Sequence, residues 1–209
     1  MAENLNTPQV VDLGGEHIDQ AAAVLARAFR VYPLTRYIFE VFGERLCEPL
    51  QVSFRIDCAW QVALGWPLLG VRLGEKLVAA AVVAGPEPFP RDHPLAKEEQ
   101  RFYRSLGQQV IDRLEAYTVL KERYEPRQAH YYLQDIGVLP EYRSQGHAGR
   151  LLRRVLQIVQ EDPAACGVAL DTQLQANLAI YRRFGFRVTA KTWLERVPMW
   201  FMARLEDEE

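Results

Sequence analysis

Apolar residues recur along the chain with two periods, and these lay out its elements. Gln9 to Leu13 is a short β-rich run ending at Gly14-Gly15, a first strand. From Ile18 to Phe29, the residues Ile18, Ala21, Leu25, Ala28 and Phe29 share one helical face. Pro33 restricts Tyr32 to extended backbone and interrupts that helix. Further helical stretches are predicted from Leu34 to about Phe42 and from Pro49 to Leu64, the latter with Phe54, Cys58 and Val62 in register. Pro67 to Leu73 and Lys76 to Ala84 flank Gly74-Glu75 as a tight hairpin. The second of these strands is apolar on both faces, as a strand covered on both sides is. After the prolines at 86, 88 and 90, Lys97 to Arg123 predicts one long surface helix. Its apolar stripe is Tyr103, Leu106, Val110, Leu114 and Tyr117, and Arg101, Arg104, Asp112, Arg113 and Glu115 lie on the other face.

Tyr131 to Val138 reads as a strand. A helix follows from Gly146, with Leu151, Leu152, Val155, Ile158 and Val159 on its apolar face. Gly167 to Leu170 is a short buried strand. Ala176 to Phe184 is a short helix closed by Gly185 as a left-handed cap, and strands follow around Phe186 to Leu194 and Met199 to Leu205. The order is β, helices, β-β, helix, β, helix, β, helix, β-β. It predicts one domain over 1–209, a mixed α/β sheet with helices on its faces and a helical insertion at 85–127.

Composition narrows the function classes. A chain of 209 residues, 49% hydrophobic and 25% charged, builds one core without disulfide staples. Against 25 basic residues stand 27 acidic ones, so nothing favours nucleic acid as a partner. Cys47, Cys58 and Cys166 match neither a disulfide framework nor metal-ligand spacing, and no metal is expected. Residues 1–7 lack the apolar region of a signal peptide, and no apolar run reaches the roughly 18 residues of a membrane span. A cytoplasmic protein with no membrane partner is the expectation.

The chemistry concentrates between Val138 and Leu152. There a strand ends, a turn follows, and a helix begins at a cluster of small residues, Gly146, Ala148 and Gly149. The first N–H groups of a helix have no internal partner, and its dipole adds partial positive charge there, so a pyrophosphate satisfies both. Arg143 and Arg150 would add charge-assisted donors. The loop is neither a Walker A motif nor a Gly-x-Gly-x-x-Gly dinucleotide fingerprint. An ordinary strand-to-helix turn built with glycines remains the alternative on these residues alone.

The wider pattern resembles the GNAT (GCN5-related) N-acetyltransferase superfamily. Arg143, Gly146 and Ala148 resemble its motif A, Arg/Gln-x-x-Gly-x-Gly/Ala, after a strand ending in Val138-x-Pro140. Asn177, Tyr181 and Gly185-Phe186 are similar to its motif B, and Pro198 to Arg204 to the last strand of some small-molecule-type members. The resemblance implies a mostly antiparallel sheet flanked by helices, whose central strands splay apart around acetyl-CoA. It places the pyrophosphate on residues 145 to 150, that is Gln145, Gly146, His147, Ala148, Gly149 and Arg150, with Arg143 beside them. Backbone at Ile136 and Val138 would pair with the pantetheine arm.

Tyr181 stands at the motif B position that suits a proton donor to the departing thiolate; the alternative is a core tyrosine. Asn177, on the same helical face, would bond the CoA arm or cap the short helix. Asp135 is the leading candidate base, against a merely structural aspartate; Gln134 is expected to face the other way unless a bulge intervenes. His130 and Glu141 are weaker candidates at the strand ends. In His147 only the backbone is expected to matter. The implied activity is transfer of an acetyl group from acetyl-CoA to a primary amine of a small acceptor by direct attack. Acceptor choice is assigned to Val31–Phe42 and the insertion. A non-catalytic acyl-CoA-binding sensor or interaction module is the alternative, an unrelated nucleotide-binding α/β protein is a further rival, and a homodimer is left open.

Overall fold

Val78, Ala79, Ala80, Ala81 and Val82 are fully buried, because helices cover both faces of the strand that carries them. The computed structural model describes residues 7–90 and 92–205. Its strands are β1 (Gln9–Asp12), β2 (Leu68–Leu73), β3 (Lys76–Ala84), β4 (Tyr131–Val138), β5 (Gly167–Thr172), β6 (Arg187–Leu194) and β7 (Val197–Leu205). They form one sheet in the order β1-β2-β3-β4-β5-β7-β6. Every neighbouring pair is antiparallel except β4 with β5.

The α-helices are α1 (Ile18–Phe29), α2 (Pro33–Ile38), α3 (Cys47–Leu64), α4 (Pro94–Leu106), α5 (Gln108–Tyr124), α6 (His147–Glu161) and α7 (Gln175–Arg183). One core packs Leu25 of α1, Phe54 and Cys58 of α3 and Val110 of α5 against Ala80 and Val82. The other face carries Leu151, Leu152, Val155 and Val159 of α6 against Val78, Ala81 and Leu133. Pro33 opens α2, and Tyr32 before it is extended, at ψ 137. No helix among the described residues is long and apolar enough to cross a membrane.

Three expectations need correction. The segment after Ile38 does not continue as an α-helix to Phe42; it becomes a 3-10 turn over Glu40–Leu46, kinked at Gly43. The long helix of 97–123 is two helices, broken at Gly107, whose φ of 99° is left-handed and ends α4. Its apolar stripe still packs on the α1–α3 core. Third, β4 carries a bulge. Val82 pairs with Asp135 but Val83 with Leu133, leaving Gln134 as the extra residue. Gln134 therefore faces the same side as Asp135, bonding Gln61 of α3.

Strands β4 and β5 pair only at Tyr131–Val168 and Tyr132–Ala169. Beyond these two rungs they diverge, opening a gap in the middle of the sheet. The bulge begins two residues past the last rung, so the added local twist falls where the strands part.

Candidate active site

One edge of the gap is unpaired backbone. Leu139 donates to the Val78 carbonyl across β3, at 2.9 Å. Main-chain groups alternate along an antiparallel strand, so those of Val138 and Ile136 point the other way, into the gap. The Val138 carbonyl takes a long 3.4 Å bond from Arg143 Nε.

At the end of β4 the loop turns through two left-handed residues, Ser144 at φ 62° and Gly146 at φ 80°. Gly146 caps α6, and the first backbone bond of that helix runs from Arg150 to Gly146. The N–H groups of Gly146, His147, Ala148 and Gly149 thus find no acceptor among the described residues. Free donors at a helix start are the kind of group that can hold an anion. A Cβ on Gly146 would project into open space, whereas one on Gly149 would meet the Phe184 ring at 3.3 Å. Gly146 therefore presents its bare side outward, and Gly149 presses α6 against the end of α7.

The side chains of the loop divide. No hydrogen bond or ion pair among the described residues occupies the Arg150 guanidinium. Arg143 does not extend toward the loop: its Nη2 donates to the Ala28 carbonyl at 2.9 Å, tying the end of α1 to β4. Gln145 bonds back to the Glu141 carbonyl. His147 is 2% exposed, and neither ring nitrogen has a partner. Burial, then the charge of Arg150, lowers its pKa and keeps the ring neutral. Arg143→Ala should accordingly cost about 1 kcal/mol, a Tm loss of about 2–4 °C, measurable by thermal denaturation. An unchanged Tm would contradict the α1 clasp.

The face of the sheet turned to α3 and α5 is acidic and aromatic beside the gap. Asp135 lies on β4, Asp57 on α3, Glu99 on α4 and Asp171 on β5. Burial and the neighbouring Asp171 push the Asp135 carboxyl up to about 7, against the opposing charge of Lys121. Asp57 is raised well above the usual range by burial, then by Asp135 and Glu99. Asp171 accepts from Tyr117 at 2.9 Å, from Tyr132 at 2.5 Å and, on its second oxygen, from Gln173 at 2.5 Å.

Tyr181 is 7% exposed on α7, its ring edge-on to Phe186 at 5.8 Å. Burial, Tyr32, Asp171 and Asp135 all raise its pKa, so the hydroxyl keeps its proton and lies within electrostatic reach of Asp135. Asn177 is not the cap of α7; that position is Leu174. Its amide instead donates to Thr172 Oγ1 at 3.0 Å, the oxygen that also bonds Tyr32 at 2.8 Å. Gly185, at φ 87°, closes α7 as expected, with Phe186 N–H returning to the Tyr181 carbonyl. His130 and Glu141 lie apart from this cluster. His130 bonds the Gln128 carbonyl, and Glu141 is held by Arg27 at 3.2 Å. Its own backbone bond, then Arg27, keeps the Glu141 carboxyl below its ordinary range, which does not suit a base.

A gap in the sheet, free backbone on one edge and unpartnered helix-start N–H groups at its end have the chemistry to receive an extended arm ending in an anion. A family model for the acetyltransferase (GNAT) family matches residues 80–186. The chain belongs to the GNAT acetyltransferase family. Solved GNAT-like structures agree in fold along nearly the whole chain. The histone acetyltransferase HPA2 and related acetyltransferase of Corynebacterium glutamicum superposes with a TM-score of 0.68 at 16% identity, over 97% of this chain and 98% of that one. A mosquito arylalkylamine N-acetyltransferase like 5b gives 0.65 at 14%, over 96% and 100%. The PaiA N-acetyltransferase of Thermoplasma acidophilum, solved in complex with coenzyme A, gives 0.58 at 12%, over 96% and 99%.

Several residues around the gap carry no motif in the sequence. Tyr32 was noticed only as the residue before a proline, and Tyr103 and Tyr117 only as core stripe. Asp57, Glu99, Tyr132 and Asp171 carried no local signal, because each comes from a different element. Polar residues interrupting apolar faces were the one available hint: Asp57 falls one position before the buried Cys58, and Asp171 extends the buried run of β5.

Proposed function

We infer that this GNAT protein transfers the acetyl group of acetyl-CoA to a primary amine of a small acceptor, within the gap between β4 and β5. The observation that carries this reading is the parting of β4 and β5 after two rungs, which leaves the β4 backbone free beside Asp135, with Tyr181 on α7 within its electrostatic reach. Asp135 is a carboxyl raised to about 7, Tyr181 a tyrosine that stays protonated. An alkylammonium with a pKa of about 10 must lose a proton before it attacks. A carboxylate titrating near neutrality is matched to take it. The C–N bond then forms as the C–S bond breaks. Tyr181 gives its proton to the departing sulfur and regains one from the acylated nitrogen. The proton held by Asp135 passes to solvent, so the products are the amide, the free thiol and one proton.

Acetyl-CoA fits the residues present. Gly146, His147, Ala148 and Gly149 would hold the pyrophosphate through four N–H groups, with Arg150 beside them. Ile136 and Val138 would pair with the pantetheine arm, and the Val138 N–H would meet the charge that develops on the carbonyl oxygen. Asn177 acts through Thr172 and Tyr32 to fix the mouth of β5. Among the described residues no group of three or more His, Cys, Asp or Glu is arranged to hold a metal.

Acceptor selection belongs to segment 31–42 and the insertion. The insertion contributes Glu99, Tyr103, Tyr117 and Lys121 to the pocket, and Tyr32 comes from the first segment. Arg113 of α5 clamps the two together, bonding the Tyr37 carbonyl and Glu40.

Steady-state acetylation with acetyl-CoA and a panel of amines tests the reading. Tyr181→Phe should lower kcat by about 10- to 10²-fold, toward the low end for a general acid, while acetyl-CoA affinity stays within threefold of wild type by calorimetry (~0.6 kcal/mol). An unchanged kcat in conditions where chemistry limits the rate would return Tyr181 to a packing role.

A further inference from the structure

The face of the sheet opposite α6 carries more carboxyl groups than proton abstraction needs. Asp135 suffices to deprotonate a reacting amine. Asp57, one turn before Gln61 on α3, is influenced by both Asp135 and Glu99, and the same helix touches Gln134 through Gln61 and Glu99 through Trp60. No hydrogen bond or ion pair among the described residues reaches the Asp57 or Asp135 side chain, and Glu99 receives a single bond, from Trp60 at 3.1 Å. The one cation acting on Asp57 and Asp135 is Lys121, and it is not paired with either; its Nζ sits over the Tyr132 ring at 3.9 Å. Half-buried carboxylates without donors gain from a donor that arrives.

A second observation is independent of these charges. Gln61, one turn beyond Asp57 on α3, is completely buried and donates to Gln134 beside Asp135, yet its Oε1 accepts nothing. This corner of the site thus holds more acceptors than donors. Its wall is aromatic: Tyr103, whose hydroxyl is turned to Ser53 at 2.8 Å, feels Asp57, Glu99 and Asp135 together. The Tyr132 face already holds a cation, so the wall suits an alkylammonium.

These features describe a site for two nitrogens. The first must become neutral to attack and is served by Asp135. The second has no chemistry to do and can stay charged, which satisfies the remaining carboxylates. Resting on the acetyl-transfer reading above, the geometry points to a short aliphatic diamine or polyamine as the acceptor, its first amine at Asp135 and its second ammonium held by Asp57 and Glu99 against Tyr103. The mixed charges on the outer face of α4 and α5 play no part in this recognition; the selecting charge is inside.

The test compares 1,4-diaminobutane, n-butylamine and phenylethylamine as acceptors at saturating acetyl-CoA. The diamine should exceed butylamine in kcat/KM by about 10- to 10²-fold, the worth of one charge-assisted contact in a desolvated site. Asp57→Asn and, separately, Glu99→Gln should cut that ratio at least about fivefold through KM for the diamine (~1 kcal/mol). Calorimetric acetyl-CoA binding and Tm verify that each variant is folded. Equal use of diamine and butylamine by the wild type, a preference for phenylethylamine, or a ratio untouched in both folded variants overturns the diamine assignment while acetyl transfer stands. Failure to acetylate any amine overturns the parent reading and this one with it.

Discussion

Asp135→Asn should lower kcat by about 10²- to 10⁴-fold, the usual contribution of a positioned general base, with little change in acetyl-CoA affinity. The pH profile gives the sharper signature. With the Asp135 carboxyl at about 7, activity of the wild type should fall as pH drops through that value, because the protonated acid cannot take the ammonium proton. The variant should lose this acidic limb and keep only the rise set by the amine itself. A stability effect of opposite sign accompanies the loss. A carboxyl whose pKa is raised on folding favours the folded state below its unfolded value of about 4, and that advantage disappears as pH rises through the folded value. Near pH 8 the ionised Asp135 therefore costs stability, and Asp135→Asn should raise it by about 1 to 3 kcal/mol in the ligand-free protein. An inactive but more stable protein is the expected result. A variant that keeps both full kcat and the acidic limb would remove Asp135 from the reaction.

Substitutions in the anion loop should act on binding alone. Gly146→Val places a branched side chain where the structure leaves open space, and strains a residue held at φ 80°. Because strain by itself could disturb the loop, Ala148→Asp is the cleaner companion. A carboxylate in the first turn of α6 favours the helix through its dipole, yet it repels a pyrophosphate at the same N–H groups. Ala148→Asp should therefore hold or raise Tm while weakening acetyl-CoA at least about 10²-fold, the loss of one or two charge-assisted contacts. Calorimetry and thermal denaturation separate the two effects. Normal acetyl-CoA binding by both variants would move the pyrophosphate elsewhere.

These sites were unequally legible in the sequence. The strand-to-helix joint at Gly146 was readable because its parts are contiguous: the end of a strand, Gly146, and the apolar face of α6. The short helix that carries Tyr181 and its Gly185 cap were readable for the same reason. The two-sided apolar run of β3 correctly placed that strand inside the sheet. The bulge at Gln134 was not legible, since nothing in Gln134-Asp135 distinguishes one strand phase from the other; pairing with β3 and the bond to Gln61 decide it. The break at Gly107 was missed because a glycine does not interrupt an apolar stripe, and the stripe continues across it. Arg143 looked like a phosphate donor from its position, but the Ala28 carbonyl, 115 residues away in sequence, claims it. The acidic pocket was the least readable, being assembled from α3, α4, β4 and β5 with no two contributors adjacent in the chain.

The chain also carries an open groove of about 330 Å³ between α1 and the β2–β3 hairpin, lined by Arg27, Lys76 and Leu139 among others. Its two cations give a phosphate a rival place to rest, but Arg27 is already paired with Glu141 and Lys76 lies 3.9 Å from the same carboxylate. A crystal structure of the complex with coenzyme A decides between these places and tests the central claim most directly. The pyrophosphate should sit on the N–H groups of Gly146 to Gly149, with the arm along Ile136 and Val138. The sulfur should lie in the gap between β4 and β5, flanked by Tyr181 and Asp135. Coenzyme A bound in the α1 groove, or with its sulfur outside the gap, would contradict the account.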